Sequence, residues 1–97
     1  MPLYVSLMKM TDQGIRDVKN APQRVALAAQ AMEAMKGKLH AFYLVMGEYD
    51  YVAVAEAPDD ETAMTFTLGL GAAGNVRTTT LKAFTREEFA ELVKKLP

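Results

Sequence analysis

The chain has 97 residues, no cysteine, 51% apolar and 24% charged side chains, and a formal net charge of −1. That describes one domain with a modest core, and it excludes a disulfide scaffold, a thiolate metal site and a thiol nucleophile. No apolar run approaches the ~20 residues of a membrane helix, Met1-Pro2-Leu3-Tyr4 lacks a secretory pattern, and the near-neutral charge leaves no electrostatic footprint for nucleic acid or a membrane surface.

Residues 1–97 therefore read as a single cytoplasmic domain. Leu3 to Met10 is a continuous β-favouring run and the first strand. Thr11 and Asp12 are helix-start residues, and Pro22 interrupts or restarts the helix that follows. Asn20 with Gln23 three residues on suggests a second cap of the capping-box kind. The helix then runs from about Ala21 to Lys36, with Val25, Ala28, Met32 and Met35 as its buried stripe and Gly37 as its stop. Leu39 to Met46 and Tyr49 to Ala57 form a hairpin across Gly47-Glu48, which suits a type II′ turn. Pro58-Asp59-Asp60-Glu61 opens the next helix with three carboxylates at the positive end of its dipole. It extends to Leu70 or Ala73, and a strand follows from Val76 to Phe84. The last helix has the clearest local signature. Thr85 is the N-cap, Glu88 closes the capping box, and Phe84 and Phe89 form a staple ahead of Leu92, Val93 and Leu96.

The order βαββαβ plus a terminal helix predicts an α+β, ferredoxin-like fold. Its four-stranded antiparallel sheet has the order 4-1-3-2, and right-handed crossovers place both long helices on one face. The other face then ought to alternate with polar residues, but both parities of the first three strands are largely apolar. The terminal helix is one cover for that face. A second subunit, sheet against sheet around an intersubunit cavity, is the fuller one.

Met46-Gly47-Glu48-Tyr49-Asp50 at the hairpin resembles the signature that names the GYD-domain family. Tyr4-Val5, Lys9-Met10-Thr11-Asp12-Gln13-Gly14, Phe42-Tyr43, Glu56-Ala57-Pro58-Asp59-Asp60, Gly74-Asn75-Val76-Arg77-Thr78-Thr79-Thr80 and Phe84-Thr85 agree with it in order along nearly the whole chain. The resemblance implies a small prokaryotic protein of the dimeric α+β-barrel type. It implies no particular reaction.

The topology brings Lys9 to Asp12, Gly47 to Asp50 and Asn75 to Arg77 to one end of the sheet. No basic residue lies between Lys38 and Arg77, whereas six carboxylates do, so Asp50 or Glu48 is expected to pair with Lys9 or Arg77. Arg77 must reach across the first strand to do so, because two strand spacings are about 9–10 Å. His40 is the single histidine and the one side chain that ordinarily titrates near neutrality. His40 and Asp50 are the candidate acid–base groups, and Tyr43, Tyr51, Arg77 and Lys9 the candidate ligand contacts. Gly47, Glu48, Tyr49 and Asp50 read first as a structural signature.

One histidine with scattered carboxylates is not a metal-ligand set, and no cofactor motif is convincing. Gly69-Leu70-Gly71-Ala72-Ala73-Gly74 matches G-x-G-x-x-G in spelling only. It ends a helix and precedes a strand, the reverse of a dinucleotide fingerprint. The leading expectation is a homo-oligomeric module that binds a small ligand or interacts with other proteins through an intersubunit cavity. The alternatives are a cofactor-independent enzyme of the oxygenase- or isomerase-like barrel type, and a structural assembly unit.

Overall fold

A computed structural model describes all 97 residues. Strand β1 (Leu3–Met10) leads through a short helix α1 (Asp12–Arg16) and a 3₁₀ turn (Val18–Asn20) into α2 (Ala21–Ala34). Strands β2 (Lys38–Leu44) and β3 (Tyr51–Glu56) follow, then α3 (Asp60–Ala73), β4 (Val76–Ala83) and α4 (Arg86–Val93). The sheet is antiparallel throughout in the order β2-β3-β1-β4, the expected ferredoxin-like arrangement.

Local chemistry explains most of the boundaries. Thr11 caps α1 by accepting the Gly14 amide, and Asp59 caps α3 by accepting that of Thr62. Gly74 ends α3 in the left-handed region at φ 87°. In α4 the Thr85 hydroxyl accepts the Glu88 amide while the Glu88 carboxylate accepts the Thr85 amide, so the box is complete.

Three local expectations fail. Asn20 makes no cap bond; its amide group donates to Asp17 Oδ1 at 2.7 Å, although the helix does restart at Ala21 with Pro22 in its first turn, as expected. Helix α2 stops at Ala34, and the left-handed residue after it is Lys36 (φ 66°) rather than Gly37. Gly37 is required by space instead: a Cβ there would lie 2.5 Å from Met32 Sδ and 2.6 Å from the Glu56 carbonyl oxygen. The hairpin is also wider than a two-residue turn. The Val45 amide bonds the Asp50 carbonyl at 2.8 Å, enclosing Met46 to Tyr49, with Gly47 at φ 106°.

The register settles which side chains share a face. Ser6 lies opposite Ala53 and Thr80, and Met8 opposite Tyr51 and Thr78. Tyr4, Met8, Tyr51 and Ala53 are buried under the helices. Leu3, Val5 and Leu7 alternate onto the opposite face, where Val5 meets Val54 and Leu81, and Leu7 meets Val52 and Thr79. Helix α2 packs along β2 and α3 along β4, both on the first face. Helix α4 covers neither: every residue from Phe84 to Pro97 is exposed. The molecule is accordingly elongated, 52 × 31 × 18 Å, with a radius of gyration of 14.7 Å against roughly 13 Å for a compact chain of this length. The terminal helix is thus ruled out as the cover for the second sheet face in the isolated chain.

Candidate functional site

The signature end is tied together by backbone and short side chains. The Asp50 carboxylate accepts the Met10 amide at 2.8 Å, and the Asp50 amide donates to the Met8 carbonyl at 2.8 Å. The Thr11 hydroxyl donates to the Gly74 carbonyl, and the Thr11 amide donates to that of Asn75 at 3.1 Å. Gly14 lies against the same corner, where a Cβ would meet the Asn75 carbonyl oxygen at 2.1 Å. Lys9 Nζ lies 3.8 Å from Glu48 Oε1 and 5.4 Å from the Tyr49 ring centroid. Arg77 stands directly opposite Lys9 across the β1–β4 ladder and takes part in none of the five ion pairs. Asp50 is therefore a brace between the hairpin and β1, with its carboxylate turned to backbone rather than to either cation.

His40 occupies a bulge in β2: Leu39 pairs with Ala55 and Ala41 with Val54, leaving His40 as the extra residue. Its Nε2 lies 3.1 Å from Glu56 Oε1, with both side chains about one-third exposed. The two tyrosines part company. Tyr43 pairs with Val52 on the uncovered face and is exposed, whereas Tyr51 is buried under the helices with its ring 4.9 Å from that of Phe42. His40, Asp50, Lys9, Arg77 and Tyr43 do not converge on one cavity, and of the candidate residues only Tyr51 lines the large cleft.

That cleft, of about 550 Å³, lies between the sheet and the two long helices. Its helical side combines short side chains, Ala28 and Ala31 on α2 and Ala63 and Ala73 on α3, with the larger Met32, Phe66 and Leu70. Three hydroxyls mark one wall: Ser6 and Thr67 each lie 3.5 Å from Thr80. A second group escaped sequence reasoning, because its members are far apart in the chain. Tyr4 donates its hydroxyl to Asp60, and Lys82, the cross-strand partner of Tyr4, lies 3.1 Å from the same carboxylate. Burial, reinforced by the Asp60 bond, pushes the Tyr4 hydroxyl up to about 12, and the Tyr4 bond followed by that of Lys82 lowers Asp60.

The largest unpartnered feature is apolar. Leu3, Val5, Leu7, Val52, Val54 and Leu81 face outward from the sheet, and α4 carries Phe89, Leu92 and Val93 into solvent beside Phe84 and Leu96. Only nine of the 97 residues are buried, so the chain by itself satisfies little of its apolar content. No helix is long and apolar enough to cross a membrane.

The chain as a whole is similar to known proteins. The chain is 35% identical over 97 residues to a Thermus thermophilus protein named glutamine synthetase and cystathionine beta-lyase binding protein, an alignment covering 99% of each. Its fold is similar to the crystal structure of TTHA0845 from Thermus thermophilus, with a TM-score of 0.55 and 26% identity over 88% of this chain and 95% of that one. Residues 4–93 match the GYD domain, and the chain belongs to the GYD domain family.

Proposed function

We propose that this protein is a protein-binding module that works as a homodimer or larger homo-oligomer. One observation carries the self-association: a four-stranded sheet with one apolar face bare, on the same chain as an amphipathic helix that packs on nothing. The occupant best suited to that face is a second copy, which brings the matching face and its own α4. Strands spaced about 4.8 Å apart and rising about 3.3 Å per residue give a face roughly 20 by 25 Å. With the two α4 arms folded over its rim, the contact reaches the ~800 Å² per partner of a stable interface. An eight-residue helix is marginal alone in water, so α4 gains most from such a seat.

The binding role rests on the Thermus relative, whose name assigns it glutamine synthetase and cystathionine beta-lyase as partners. Metabolic enzymes of this kind are the partners we assign to the present chain. An enzymatic role in the same assembly has less support, because His40 is paired with Glu56 and Asp50 with backbone, and neither lines the cleft.

Light scattering across a range of concentrations tests the first half. A mass of at least twice 10.7 kDa is expected, and a monomer at every concentration overturns it. Co-sedimentation with purified glutamine synthetase and cystathionine beta-lyase tests the second. Saturable binding of either is expected, and loss of both from the pellet overturns the partner assignment.

A further inference from the structure

The cleft beneath the helices is separate from the sheet face proposed for self-association, and it has its own chemistry. Its floor and walls are Met8, Phe42, Tyr51, Met32, Phe66 and Leu70, a lining that is apolar almost throughout. Apolar volume that side chains leave unfilled costs stability in proportion to its size. An apolar cleft of this kind takes up apolar guests.

Two charged residues reach the lining, and both are already committed. Arg24 lies 2.7 Å from Asp17 Oδ2 and donates to the Asp17 carbonyl at 3.0 Å, and Glu56 is held by His40 at 3.1 Å. Tyr4 is occupied by Asp60, and Asn75 by the Gln13 amide. Beside the Tyr51 hydroxyl and the Asn75 amide nitrogen, the polar capacity left over is a short row of hydroxyls, Ser6, Thr80 and Thr67. Thr67 already donates its hydroxyl to the Ala63 carbonyl at 2.9 Å and offers an acceptor, whereas the 3.5 Å contacts of Ser6 and Thr80 are at the outer limit of a hydrogen bond and leave their donors and acceptors free.

We propose that this cleft is a binding site for an uncharged, largely apolar small molecule that places one hydroxyl or carbonyl group against Ser6, Thr67 and Thr80. The volume falls in the usual range for ligand pockets, about 300–1,000 Å³, and the pattern of apolar walls with a few convergent polar groups is the one such pockets show. A carboxylate or amine is disfavoured, because no free counter-charge lines the site and an ion loses its hydration on entry. The proposal does not depend on the protein-binding reading; either can fail alone.

The seven methionines supply the test. The full chain, labelled at its methionine methyl groups and assigned by single Met→Leu substitutions, is titrated with decan-1-ol and followed by NMR. The resonances of Met8, Met32 and Met35, which line the cleft, are expected to shift saturably with one molecule per chain. Met1 and the fully exposed Met46 are expected to stay. Shifts confined to Met1 or Met46, or no saturable shift at all, overturn the site; the latter is the result if α2 and α3 close the space on their own side chains. Decanoate at pH 8 is expected to bind at least tenfold more weakly, and equal affinity overturns the uncharged class. Thr67→Val, which keeps shape and removes the hydroxyl, is expected to weaken decan-1-ol about threefold or more, and an unchanged affinity overturns the polar anchor.

Discussion

The carboxylate of Asp50 sits 2.8 Å from the Met10 amide, at the point where β1 runs out of sheet partners on its β3 side. The register on that side ends at Met8–Tyr51, so beyond it the hairpin loop takes over the role of a strand. A charged acceptor on a backbone amide is among the stronger hydrogen bonds in a protein, and removing it leaves a partly buried N–H unsatisfied. Asp50→Ala is therefore expected to destabilise the fold by about 1.5–3 kcal/mol. Thermal melts followed by circular dichroism measure it, and an unchanged melting temperature removes the bracing role.

The glycines divide into two groups with opposite expectations. Gly14→Ala puts a Cβ 2.1 Å from the Asn75 carbonyl oxygen, a rigid backbone atom, so the α1–β4 corner has to move apart. Overpacking of this kind costs about 1–3 kcal/mol. Gly69 and Gly71 lie inside α3, and a Cβ added at either would meet nothing within 4 Å. Alanine at either is expected to stabilise by roughly 0.4–1 kcal/mol through the unfolded chain. Urea melts of the three variants compare the two signs directly.

Titration behaviour follows from the Tyr4–Asp60–Lys82 group. The Tyr4 hydroxyl is raised to about 12 from an ordinary value of 10.0, so the folded chain holds that proton more firmly than the unfolded one. Its contribution is complete below pH 10 and is lost as pH climbs from 10 to 12. Absorbance at 295 nm should show one of the four tyrosines titrating last, and Tyr4→Phe should delete that step.

At the acid end the sign reverses. Asp60 is lowered by the Tyr4 and Lys82 bonds and Asp59 by its Thr62 cap, so both favour the fold above the ordinary carboxylate value of 3.8 and cease to as pH drops through their lower folded values. Melting temperature is expected to fall below about pH 4, and Asp60→Asn should flatten that fall.

A charge placed on the bare sheet face discriminates between a face that is covered in solution and one that is not. Val54→Lys, at the centre of that face between Val5 and Ala41, is expected to bring the mass by light scattering down to 10.7 kDa with the far-ultraviolet spectrum retained. Ending the chain at Ala83 to delete α4 should loosen the assembly in the same direction. Masses that stay above the monomer in both variants would falsify the sheet-face interface.

Period and capping made most of this fold legible in the sequence. The limits of β1, the complete Thr85–Glu88 box and the strand order follow from alternation, local hydrogen bonding and crossover handedness. Loop geometry was less accessible: Gly47-Glu48 spells a tight turn, but Asp50 reaching Met8 and Met10 holds the hairpin open. The same limit applies at Gly37, whose need for space comes from Met32 and the Glu56 backbone rather than from its own φ. The acidic and basic residues at the signature end were correctly brought to one end of the sheet, yet proximity alone did not say that Asp50 would commit its carboxylate to an amide. The apolar character of both sheet faces was visible in the alternation, whereas the space under the helices was not, since it depends on how α2 and α3 are seated over the strands and not on the pattern within any one element.

The bulge at His40 bears on how copies of this chain can add to one another. Strand β2 is an outer strand of the sheet, and outer strands are where further chains pair on and grow fibres. With one surplus residue in its middle, β2 has no unbroken run of evenly spaced amides and carbonyls to offer a newcomer. Growth sideways from β2 is thereby discouraged, whereas β4, the other outer strand, keeps an unbroken register of eight residues against β1.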